Sequence, residues 1–204
     1  MLNFAQNSTM RSGFFFVLAI FGWVSCQTGS PPQEVVNVPD LESIYTRGAS
    51  IAQSSQAALL EQVSRAITAG GPDFAVAFCH EKAGPVIDSL ARANDCRIHR
   101  ISDRYRNPSN QPANEAEFAL MMDYFNRKIV GDTVLLSDNH PVFYRPIVLG
   151  LETCLKCHGQ PGTDIAASTL EKIQERYPTD QATGYRMHDV RGLWKISFPV
   201  RAED

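Results

Sequence analysis

The chain has 204 residues, 44% hydrophobic and 20% charged, which is the composition of a globular protein rather than a disordered one. Nineteen Lys and Arg against 22 Asp and Glu leave a net charge of −3, without the basic surplus that neutralising nucleic-acid phosphates requires. Five Cys exclude a disulfide-built scaffold, and 13 Gly with 12 Pro exclude collagen-like and low-complexity chains.

The first element is a leader. Residues 14–24 read FFFVLAIFGWV, preceded by Arg11, and no acidic residue occurs before Glu34. A basic start followed by an apolar run too short to span a bilayer predicts a signal peptide over residues 1–25. Met10 directly before Arg11 is an alternative start. The run ends in Val24-Ser25-Cys26, and a small residue before Cys resembles a bacterial lipoprotein signal, with Cys26 as the acylated residue. Trp23 departs from the usual pattern there, and simple cleavage that leaves Cys26 a spare thiol is the alternative. Removing residues 1–25 takes away one charge, Arg11. Residues 26–39, which include GSPPQEVVNV, read as a tether. These features predict export to the periplasm of a Gram-negative bacterium, with the membrane reached only through a lipid anchor.

The folded domain is expected over residues 40–204. Leu41, Ile44, Ile51, Ala52, Leu59, Leu60, Val63 and Ile67 recur at helical spacings. Asp40 is the expected N-cap, and Gly70-Gly71-Pro72 the stop. A second helix is expected from residue 72 or 73 to about 94, with a kink or break near Gly84 because of Pro85. A short strand follows at residues 97–101, a Pro/Asn loop at 105–114 and a helix at 115–128. Residues 133–136 and 142–149 predict a hairpin around Ser137-Asp138-Asn139-His140-Pro141. A helix is expected at 164–176. Last comes a strand in which Trp194, Ile196, Phe198 and Val200 alternate with Leu193, Lys195, Ser197 and Pro199. Long helices followed by antiparallel strands predict an α+β fold.

The motif that carries chemistry is Cys154-Leu155-Lys156-Cys157-His158. Two thiols separated by two residues suit addition to the two vinyl groups of haem. The adjacent imidazole is then placed for one axial face of the iron. With five Cys and five His in 204 positions, such a motif arises by chance about 0.3% of the time. Export agrees with it, since c-type haem attachment in bacteria takes place outside the cytoplasm. Three alternatives stay open. A redox thiol pair usually sits in a thioredoxin-like setting, which Leu151-Glu152-Thr153 and Gly159-Gln160-Pro161-Gly162 do not supply. Zinc usually wants a second knuckle. A plain Cys154–Cys157 disulfide is the third. No Ser/His/Asp set or carboxylate pair stands at a useful spacing, so an enzyme is not expected.

Further blocks accompany the motif: FAVAFCHEKAGPVI (74–87), RISDRYRNPSNQPANEAE (100–117), FYRPI (143–147), CLKCHGQP (154–161) and YPTDQATGYRMHDVRG (177–192). In this order they resemble a family of exported, single-haem, PAS-like domains of unknown function, found alone or as input domains of membrane sensor kinases. The resemblance implies a PAS-like antiparallel sheet with long N-terminal helices and one covalent haem c on Cys154 and Cys157. It also implies His158 as the proximal ligand and Cys79 as the opposite one. The residues alone leave Cys79 open, since a Cys ending an apolar helical run is ordinarily buried and inert, and a Cys79–Cys96 disulfide is an alternative. The family usually has Gly where this chain has His188, so His188 and Met187 are alternative ligands. His80 adjoins Cys79 but points about 100° away round a helix; His99 and His140 read as surface or packing residues. Arg104, Arg106 and Arg191 are candidates for the haem propionates, because guanidinium forks match carboxylates. Tyr177, Tyr185 and Trp194 read as core.

With His158 and a Cys79 thiolate on the iron, the expected function is redox or small-ligand sensing by axial-ligand exchange, with a diatomic molecule as the ligand. The partner would be a separate redox or signalling protein. A His158/His188 or His158/Met187 pair would instead suit a periplasmic electron-transfer cytochrome. The alternative of another class is a PAS-like module that binds a small molecule without haem.

Overall fold

The computed structural model describes residues 40–137 and 140–199. The expected leader, Cys26, the tether, the hairpin residues Asp138 and Asn139, and Val200 lie outside them.

Helix α1 (Leu41–Ala93) begins as expected at Asp40, whose carboxylate accepts from the Glu42 N–H at 3.1 Å. Ile44, Gly48, Ile51, Ala52 and Ser55 fall on one buried face. The helical geometry is broken at Gly70 and Gly71, where φ is −159° and 76°. The two helices anticipated from the sequence are thus two halves of α1 joined at a kink. Pro85 does not break the second half, contrary to expectation: the non-helical residues inside α1 are Gly70 and Gly71. Glu81, whose carbonyl Pro85 leaves without its usual helical donor, is exposed, as are Gly84 and Pro85. The end of α1 is a Schellman turn. Asp95 takes φ 48°, and the Cys96 N–H donates back to the Ala91 carbonyl at 3.1 Å.

Strand β1 (Arg97–Ile101) follows. A 3-10 turn (Pro108–Asn110) then leads to α2 (Glu115–Phe125), capped by the Asn114 side chain. Strands β2 (Thr133–Ser137) and β3 (His140–Val148) form the expected hairpin. Helix α3 (Glu152–His158) carries the Cys pair, and α4 (Ala167–Arg176) starts three residues later than expected. Asp164 is not its cap, because its carboxylate accepts from the Gln160 N–H at 2.8 Å and closes the turn after α3. Strand β4 (Val190–Ser197) completes a four-stranded antiparallel sheet of order β1-β4-β3-β2.

One face of the sheet, with Ile98, Phe143, Trp194 and Ile196, packs on Ile44, Ile51, Ala52 and Ile87 of α1. Gly48 permits this approach, since a Cβ there would stand 2.3 Å from the Phe143 ring. The other face, with Ile101, Val142, Tyr144 and Leu193, packs on Leu120, Met121 and Tyr124 of α2. Both faces being covered explains why Leu193 and Trp194 are both buried, where simple alternation predicts only one. Val76 in the second half of α1 packs with Ile165 and Ile173, with Cys157, Leu170 and Tyr177 against them.

Candidate functional site

Between α1 and the sheet lies a cavity of about 480 Å³, floored at one end by α3. That volume falls inside the range of ligand sites, roughly 300–1,000 Å³. Its wall is largely apolar, and Leu60 and Val148, at 37% and 44% exposure, are part of it.

Cys154, Cys157, His158 and Cys79 all line this cavity. The first three come from one short helix, where positions three and four apart share a face. Cys79 comes from the second half of α1, and the kink at Gly71 sets where that half lies. All four described cysteines are free. A Cys79–Cys96 disulfide is excluded by the helix between them. The stretch from Cys79 to the end of α1 at Ala93 is about 20 Å long, against the 7 Å limit for bridging Cα atoms. Cys96 instead packs at the edge of the α1–sheet core.

Burial pushes the Cys157 thiol up to about 11, opposed by Arg106. That direction is opposite to the activation a thioredoxin-like nucleophile needs. Burial also raises the Cys79 thiol, opposed by the positive charges of Arg100 and Arg106. The zinc alternative finds no support: no group of three or more His, Cys, Asp or Glu suited to a metal ion gathers among the described residues.

His158 is oriented from behind. Its Nδ1 lies 2.8 Å from the Ala182 carbonyl, an acceptor only, so Nδ1 carries the proton and Nε2 keeps its lone pair. Arg191 Nε stands 3.4 Å from the same Nδ1, too long to compete. Burial, with Arg106 and Arg191 adding to it, holds the imidazole well below its usual pKa, so it is neutral. A neutral imidazole with one nitrogen fixed by a carbonyl is the arrangement of a metal-ligating histidine.

Arg106 binds the α3 end to the following loop. Its Nη2 donates to the Cys157 carbonyl at 2.7 Å and to the Ala182 carbonyl at 3.3 Å, while its Nε pairs with Asp180 at 2.9 Å. It lines the cavity but its charge is already matched. Arg104 does not line the cavity; it stacks over the Tyr185 ring at 4.0 Å. Of the two arginines expected at the propionates, Arg104 thus stands off the cavity and Arg106 lines it already paired with Asp180. Arg191 does line the cavity.

The alternative ligands His188 and Met187 are placed elsewhere. His188 is exposed, its backbone N–H donating to the Leu149 carbonyl at 2.9 Å, and neither it nor Met187 lines the cavity. His80 packs edge-on to Tyr177 at 4.9 Å and, with the exposed His99 of β1, lines the cavity, whereas His140 is exposed at the start of β3. Tyr185 and Trp194 are buried as expected, while Trp194 and the partly buried Tyr177 also reach the cavity wall.

Arg100 was missed in the sequence. It lies on β1, two residues after the buried Ile98 and thus on the same face, and it lines the cavity. A charged residue on the core face of a strand was the available signal.

These observations fit a haem: two thiols on one helix face, an imidazole with its far nitrogen free, an apolar wall and cationic side chains. The model of the Tll0287-like family matches residues 40–199. The fold is shared with a cyanobacterial heme-protein, Tll0287, whose crystal structure matches with a TM-score of 0.60 at 21% sequence identity, covering 81% of this chain and 99% of that one. No curated protein matches the chain.

Proposed function

Because the chain belongs to the Tll0287-like family, we propose that it is a haem c protein that senses redox state or a small ligand by exchange of an axial ligand. The observation that carries this is the convergence of Cys154, Cys157, His158 and Cys79 on one cavity. Cys154 and Cys157 would hold the group by adding their thiols across its two vinyl double bonds, sulfur to one carbon and hydrogen to the other, with no net oxidation. His158 would hold the group through Nε2, the tautomer being set by the Ala182 carbonyl at Nδ1. Cys79 would hold it through its sulfur. The group, when bound, contributes one-electron chemistry and a coordination position for a diatomic molecule. Cys79 would decide between the two: as a thiolate it would favour the ferric state, and with its Sγ protonated it would leave that position open. The PAS-like reading belongs to the same proposal, supported by a cavity enclosed between sheet and helix. So do the periplasmic location, the lipid anchor on Cys26, and a separate redox or signalling protein as partner. The electron-transfer reading would need His188 or Met187, neither of which lines the cavity.

The test is purification from a host that carries a cytochrome c maturation system. A red product with the haemochrome spectrum of saturated vinyl positions is the expected result. A colourless protein with Cys154 joined to Cys157 would return the chain to the haem-free alternative. On the red protein, Cys79→Ala should abolish the low-spin ferric thiolate signature in EPR and the near-infrared. An unchanged spectrum would remove Cys79 from the site.

A further inference from the structure

The cavity wall carries more positive charge than the protein balances. Three arginines line it: Arg100, Arg106 and Arg191. Arg106 is paired with Asp180. Arg191 donates from Nη1 to the Ser102 hydroxyl at 2.7 Å and leans towards His158 and the Tyr185 ring, but meets no carboxylate among the described residues. The backbone of Arg100 is in the ladder with Trp194, but its guanidinium has no hydrogen-bond or ion-pair partner among the described residues. The single acidic residue of the lining, Asp88, is exposed.

Burial lowers the basicity of both Arg100 and Arg191, and Arg100 and Arg106 depress Arg191 further, to about 10. Guanidinium groups set close together in a poorly solvated wall are costly without a counter-anion. The two uncompensated charges sit on neighbouring strands, β1 and β4, which pair antiparallel. What they lack is two negative charges presented by a body that also fills an apolar cavity.

We infer that Arg100, together with Arg191, receives the two carboxylates of the group bound in the cavity and forms its anion-holding end. This rests on the haem reading, in which those carboxylates are the two propionates. Planar guanidinium forks suit carboxylates better than ammonium groups do, so Arg100 gives direction as well as charge. Arg106 takes no part, since Asp180 and the Cys157 and Ala182 carbonyls already occupy it.

The test uses the full-length chain with Cys154→Ala and Cys157→Ala, so that binding is reversible, and two probes: iron protoporphyrin and its dimethyl ester. The free diacid should bind about tenfold to a hundredfold more tightly than the ester, as expected for charged hydrogen bonds. Arg100→Leu should bring the two affinities together, and Arg100→Lys should keep part of the difference. Equal affinity for acid and ester in the parent chain overturns the inference and leaves the haem reading standing. Failure of a folded parent chain to bind either probe overturns both. Should Arg100→Leu not fold, the acid-to-ester ratio of the parent chain still decides, since it needs no arginine variant.

Discussion

At the scale of single residues, His188 shows how a departure from a family pattern can mislead. Set against the usual Gly, it reads in the sequence as a new metal ligand. In the fold it is a backbone position with φ 68°, where a side chain is a burden and Gly is at ease. The side chain is exposed, while the N–H serves the Leu149 carbonyl. His188→Gly should therefore stabilise the protein by about 1 kcal/mol. Urea unfolding measures this, and a lowered midpoint would show that the imidazole has a role of its own. The arginines teach the same point from the other side. Arg104 and Arg106 look equivalent beside the Asn-Pro loop. Only a carboxylate 74 positions later distinguishes them, because Asp180 neutralises Arg106 and leaves Arg104 to stack on Tyr185.

At the scale of elements, the kink in α1 places Cys79, and it depends on Gly71. Its φ of 76° with ψ of −175° belongs to a region that only Gly occupies freely. A Cβ there would meet nothing within 4 Å, so the cost of one is conformational rather than steric. Gly71→Ala should destabilise the fold by about 1–3 kcal/mol. Thermal unfolding of the purified variant tests this, and an unchanged midpoint would mean the kink is not held by backbone preference. The Gly-Gly-Pro run was legible because breakers act locally. Helix α3 was not, since seven residues give too few turns for a period to show. Pro85 was read as a kink or a break near Gly84 because propensity argues for one, and no non-helical residue occurs there. Packing of Ala75, Val76 and Ile87 along the second half of α1 outweighs it.

At the scale of the molecule, the protein is built around a cavity whose apolar walls and unmatched guanidinium groups cost stability until they are covered. Filling it should raise stability. The haem-loaded chain is expected to melt more than about 5 °C above the same chain carrying Cys154→Ala and Cys157→Ala and purified without haem. Differential scanning calorimetry of the two forms gives the answer, and equal melting temperatures would mean that the cavity is stable by itself.

The sequence by itself determined what is local. The spacing of Cys154, Cys157 and His158, the helical stripe of α1, the Gly70-Gly71 stop, the Asp40 cap and the β2–β3 hairpin all follow from chemistry within a few residues of each other. Tertiary structure decided what meets across the chain. It brought Cys79 to the same cavity as α3, although about 75 residues separate them, and carried Cys96 away to the far end of a helix. It also chose which arginines keep their charge unmatched, by placing Asp180 against one and none against Arg100. Such choices rest on burial and on pairing between distant segments, and a residue's neighbours in sequence carry no record of either.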